Sequence, residues 1–182
     1  MTRSRTPERV PASVRCLAMA LVRAGRVSRA RRAIIAGDLD RANRHAQKLV
    51  ARDPFAGNGL LADGVREGHV ILGHVAVARG DVQRAGRELL LAMEGPTTPV
   101  LRSFGPDVGL AALLLSLGHR EVVITYLEWV LRAWHDDLVI QSWISAIRAG
   151  ATDELTGFTT LATRDLSTTC RVGLVTALAT PH

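Results

Sequence analysis

HVILGHVAVARGDVQRAGRELLLAMEGPTTPVLRSFGP, running from His69 to Pro106, holds two helical patterns broken at Gly80-Asp81. Gly80 can take the backbone angles that end a helix. Asp81 can cap the helix that resumes at once. Gly73 and Ala76 share one face of the first helix, and Ala85, Leu89 and Ala92 share one face of the second. Small residues on facing surfaces let two antiparallel helices come close, so the spacing predicts a helical hairpin. The same turn lies upstream at Gly37-Asp38, followed by Ala42, Ala46, Leu49 and Val50 and closed by Asp53-Pro54. A third follows Leu117-Gly118, with Val123, Leu127 and Val130 at matching positions.

These residues resemble the tetratricopeptide repeat (TPR). Leu72-Gly73 stands for its Leu-Gly pair, Gly80 for its turn, Ala85, Leu89 and Ala92 for its second helix and Pro96 for its terminal proline. The turn glycines Gly37, Gly80 and Gly118 are 43 and 38 residues apart, against about 34 in that family, so longer linkers join the hairpins. The run Thr98 to Pro106, with Tyr126-Leu127 and Trp134 beyond it, is also similar to bacterial repeat proteins of unknown function. The resemblance implies an all-α, right-handed α-solenoid of about three TPR-like hairpins with a C-terminal capping helix. It spans residues 26–134 and speaks to fold more than to task, because such solenoids do many things.

Composition agrees with close-packed helices. Hydrophobic residues make up 47% of the 182, but aromatics only 4%, so Ala, Leu and Val must build the core. Residues 1–54 carry 13 Arg/Lys against 4 Asp/Glu, and the remainder carries 10 against 13. Arginine outnumbers lysine 22 to 1, which reads as the codon bias of a GC-rich genome. Cys16 and Cys170 form no CxxC or Cys/His cluster, which predicts reduced thiols in a cytoplasmic protein, with no metal and no cofactor. The apolar run Cys16–Val22 is bracketed by Arg15 and Arg23 and lacks a cleavage site, so it is not read as a signal peptide. No apolar run is long enough to span a membrane.

Three segments follow: a basic tail over 1–10, the repeat domain over 11–150 and a Thr-rich tail over 151–182 with room for a short helix. Pro11 can start a helix that ends at Gly25 or runs on to Ala36. Residues 53–59 read as a linker, and Gly95 to Pro99 as a rigid connector. Pro106 suits the first turn of the next helix, with Gly105 as cap and Phe104 folded back as an apolar staple. Tyr126, Trp129, Val130 and Ala133 form one stripe, expected to seal against Trp143. Asp136 or Asp137 can cap the closing helix to Arg148.

Two groups of residues carry functional expectations. Arg41, Arg44, Lys48 and Arg52 form a basic stripe, with Arg23, Arg26, Arg29, Arg31 and Arg32 adding charge nearby. Such a stripe suits an anionic partner or is a solvated face; no aromatic residue interleaves it to stack a base. Asp63, Glu67 and His74 share a helix face, with His69 on another; a carboxylate beside a histidine can do acid–base work or be a satisfied core pair. The expected function is non-catalytic binding of a protein or acidic peptide, with Arg29, Arg32, His69, Leu72, His74 and Ala76 on the concave face and Arg41 and Arg44 adding charge. The alternatives are a small enzyme of specialised metabolism using Asp63, Glu67, His69 and His74, and a nucleic-acid or transcription-linked factor using the basic N-terminal third. An exposed end face would favour a homodimer.

Overall fold

The computed structural model describes residues 12–51, 59–104, 107–133, 137–152 and 155. Among these there are eight helices and no strand: α1 (Ala12–Ile35), α2 (Leu39–Val50), α3 (Gly59–Ala78), α4 (Val82–Leu91), α5 (Pro99–Phe104), α6 (Gly109–Ser116), α7 (Arg120–Ala133) and α8 (Asp137–Arg148). Apart from Gly59, Ala151, Thr152 and Leu155, the predicted tails and linker lie outside the described residues, as do Gly105-Pro106 and both cysteine side chains.

The glycine turns set the architecture. Gly37, Gly80, Gly118 and Gly150 have positive φ of 76, 80, 86 and 112°. Each closes its helix with the same bonds: Gly37 N donates to Ile34 O at 2.8 Å and Asp38 N to Ala33 O at 2.9 Å, and the pattern repeats at the other three. This left-handed C-terminal cap satisfies carbonyls that would otherwise be orphaned. After the first two turns an aspartate starts the next helix. Asp38 accepts from Arg41 N and Asp81 from Arg84 N, both at 2.9 Å. The chain therefore reverses within a few residues, and α1 packs on α2, α3 on α4 and α6 on α7.

The α3 helix is the centre. Val70 to Ala78 are all buried, and α3 touches α1, α2, α4, α5 and α6. Its glycines mark where neighbours come closest. A Cβ at Gly64 would meet the Arg23 stem of α1 at 3.1 Å. One at Gly68 would lie 2.9 Å from Leu49 Cβ and 3.3 Å from the Ala46 carbonyl of α2. One at Gly73 would lie 2.2 Å from Leu110 Cδ2 of α6. Gly73 thus makes room for α6, not for its hairpin partner α4 as the spacing had suggested. On the other side α6 buries Gly109, Leu110, Ala111, Leu113, Leu114 and Leu115. Tyr126 and Val130 of α7 and Trp143 of α8 are buried, and Trp129 packs against the core's edge. The α7 stripe thus belongs to the core.

Two helix boundaries need comment. Of the two courses open to the first helix, α1 takes the longer and is continuous across Gly25, whose carbonyl accepts from Arg29 Nε at 3.1 Å. One exposed glycine costs a helix only about 1 kcal/mol, which good helix formers on both sides and packing of Ala30, Ala33 and Ile34 outweigh. α6 starts at Gly109 and not at Pro106, because Asp107 Oδ1 accepts from Gly109 N at 2.9 Å. The contrast between glycines is testable by urea denaturation. Gly25→Ala, with only Arg29 Nη2 at 3.7 Å, should stabilise by up to about 1 kcal/mol. Gly68→Ala should destabilise by about 2 kcal/mol despite the same propensity gain, because α2 must move away.

Candidate functional site

A cavity of about 430 Å³ opens between α1 and α3. Ala20, Ala24 and Val27 give it an apolar wall, and Arg23, Arg31, Asp63 and Glu67 give it charge. Helical spacing explains this. Asp63 and Glu67 are one turn apart on α3, while Ala20, Ala24 and Val27 recur on one side of α1. Arg23 does not add to the basic surface: it is buried, and its Nη1 donates to Leu49 O at 2.9 Å.

A polar cluster that shares Arg31, Asp63 and Glu67 with the cavity ties α1, α3 and α7 to Thr98 before α5 and Asp107 before α6. Arg31 Nη2 sits 2.6 Å from Glu67 Oε2 and 3.3 Å from Asp107 Oδ2. Burial works against the Arg31 charge, but the two carboxylates outweigh it and its pKa is raised. Burial also raises the Glu67 pKa; Arg31 opposes this, while Asp107 and Asp63 add to it. Asp63 Oδ1 accepts from Arg66 Nη1 at 2.8 Å and from Thr98 Oγ1 at 2.6 Å. Tyr126 donates its hydroxyl to Asp107 O at 3.1 Å. Burial, with Asp107 adding, raises its phenol pKa well above the usual range. A smaller cavity of about 80 Å³ abuts this cluster, lined by Asp63, Glu67, Asp107 and Tyr126 among others.

The two histidines part company. His74 is fully buried, and burial pushes its pKa down to about 4, with Asp107 resisting and Arg31 assisting. It is neutral at pH 7. His69 lies on the far side of α3, with Nδ1 2.9 Å from Glu88 Oε2 of α4. Neither lines the α1–α3 cavity. The expected acid–base group therefore splits: Asp63 and Glu67 reach the cavity, His74 sits inside the core, and His69 is engaged elsewhere. Leu72 and Ala76 are 4% and 3% exposed. With His74 they lie inside the molecule and present no open face.

The outer face of α1 and α2 is different. Arg29, Arg32, Arg41 and Arg44 are all exposed. Arg26 Nη1 reaches Lys48 O at 3.4 Å. The pKa of His45 is lowered, first by partial burial and then by Arg29, Arg41, Lys48 and Arg26. None of Arg26, Arg29, Arg32, Arg41, Arg44 or Lys48 forms an ion pair among the described residues. The nearby acids are committed: Asp38 caps α2, and Asp40 Oδ1 takes Arg79 Nη2 at 2.5 Å. Arg31 was expected with this group but points to the opposite side of α1, toward Glu67.

No group of three or more His, Cys, Asp or Glu among the described residues is arranged to hold a metal ion. No described helix is long and apolar enough to cross a membrane. No protein-family model, curated protein or solved structure matches the chain.

Two sequence signals for this site went unread. Thr98-Pro99 is a helix start, since Thr98 Oγ1 accepts from Leu101 N at 3.1 Å and proline suits the first turn. That cap brings Thr98 to Asp63. Asp107, next to the Pro106 that the sequence places in a helix's first turn, is the hub joining Arg31, Tyr126 and Gly109.

Proposed function

We propose that this chain is a non-catalytic, TPR-like binding module of the cytoplasm that grips an acidic segment of a partner protein. In this reading the α1–α2, α3–α4 and α6–α7 hairpins are the repeats and α8 is the cap. The observation that carries it is the set of cations on the α1–α2 face without a carboxylate partner among the described residues. Unpaired like charges on one face raise each other's energy, and an anionic partner relieves that repulsion. The α1–α3 cavity offers an enzyme reading carboxylates and arginines, with neither histidine in its lining.

The test is a binding titration with an oligoglutamate, using wild type and a variant carrying Arg29→Glu, Arg32→Glu, Arg41→Glu and Arg44→Glu. Wild type should bind at low salt, and the variant at least about tenfold more weakly, because four exposed charges reverse sign. An oligothymidylate is titrated alongside. If it binds more tightly than oligoglutamate, with a steep loss of affinity in salt, the nucleic-acid reading replaces this one.

A further inference from the structure

We infer that capture of an acidic partner on the α1–α2 face takes up a proton at His45, so that binding strengthens as pH falls. The inference rests on the binding reading above and adds its regulation. Its basis is where His45 sits. Arg41 lies four residues before it and Lys48 three residues after it on α2, so all three share one helix face. Arg29 and Arg26 approach from α1, and the Arg26 guanidinium reaches across to Lys48 O. The α3 helix, also packed on α2, meets it at Gly68, where the neighbours are the uncharged Ala46, Leu49 and Val50. His45 is thus an ionisable side chain ringed by permanent cations and only partly buried.

The thermodynamic sign follows from that ring. In the free protein partial burial opposes protonation of the imidazole, and the repulsion of four positive groups adds to it. A partner carboxylate over the same face cancels part of that repulsion and accepts a hydrogen bond from the imidazolium. The proton affinity of His45 is then higher in the complex than in the free chain. By linkage, affinity for the partner rises as pH drops through the His45 titration and is flat well above it. Arginine and lysine cannot supply this dependence, because they keep their charge throughout. His45 converts a constant electrostatic attraction into a pH-graded one.

The experiment measures oligoglutamate affinity for the full chain at pH 8 and pH 5.5, for wild type and His45→Gln. Wild type should bind about fivefold more tightly at pH 5.5, the effect of a pKa rise on the order of one unit, and His45→Gln should show little change. If wild type binds with no pH dependence, or the variant keeps all of it, proton uptake at His45 is wrong while the binding reading survives. If oligoglutamate does not bind at either pH, both fall. A second measurement needs no partner. The His45 ring resonance is titrated by NMR in wild type and in Arg29→Gln/Arg41→Gln. Removing two cations should move its midpoint to higher pH; an unmoved midpoint would show that the ring of charge does not act on His45.

Discussion

Arg31→Met is expected to lower stability by about 3 kcal/mol at pH 7, measured by urea denaturation, with much of the loss recovered near pH 4.5. Glu67 and Asp107 place one oxygen each on the same Arg31 nitrogen. Their side chains are 29% and 17% exposed, so water screens them only in part. Methionine keeps the volume and apolar stem but removes the cation that the two carboxylates share. Losing a partly buried shared cation costs more than losing a surface salt bridge, which is worth about 0–1 kcal/mol. Lowering the pH protonates one of the two and removes the repulsion. A loss below about 1 kcal/mol, or one that does not shrink in acid, would show that the cluster is a solvated surface pair.

The second large effect belongs to His74. Its folded pKa of about 4 lies below its ordinary 6.5. Between those values the unfolded chain holds a proton on this residue and the folded chain does not. Stability from the buried neutral ring is thus fully present above about pH 6.5, drains away as pH falls, and is gone below about pH 4. The span corresponds to a loss on the order of 3 kcal/mol. Glu67, with its raised pKa, pulls the other way in acid. The comparison is therefore between wild type and His74→Leu, in which the Glu67 contribution is common to both. The variant's acid limb should be flatter between pH 6.5 and 4, whatever its stability at pH 7; an acid limb of unchanged slope would mean that His74 protonates without cost.

The hairpins were legible because glycine turns and aspartate caps act locally. Gly37-Asp38 and Gly80-Asp81 each write a stop and a start into adjacent residues, and the backbone obeys both. Gly118 ends its helix the same way without an aspartate after it. The continuity of α1 was not legible, since Gly25 alone cannot say whether packing will override its propensity. The partner of Gly73 was not legible either, because spacing identifies a face but not the helix that arrives there. The same limit applies to the arginines. Arg29, Arg31 and Arg32 are near-identical in sequence context, yet a rotation of about 100° per residue turns Arg31 toward Glu67 and leaves its neighbours in solvent. Asp63 and Glu67 were visible as a pair on one face. The groups that complete the cluster, Arg31 from α1, Thr98 from the start of α5 and Asp107 from the segment before α6, depend on long-range docking that no local pattern encodes.

The central claim is that the α1–α2 face, and not the α1–α3 cavity, receives the partner. The direct measurement is an amide NMR titration of the full chain with oligoglutamate, following which backbone resonances shift. The account predicts shifts at Arg26, Arg29, Arg41, His45 and Lys48, with Asp63, Gly64 and Glu67 unmoved. Shifts centred on Asp63, Gly64 and Glu67, or no shifts at all, would contradict it.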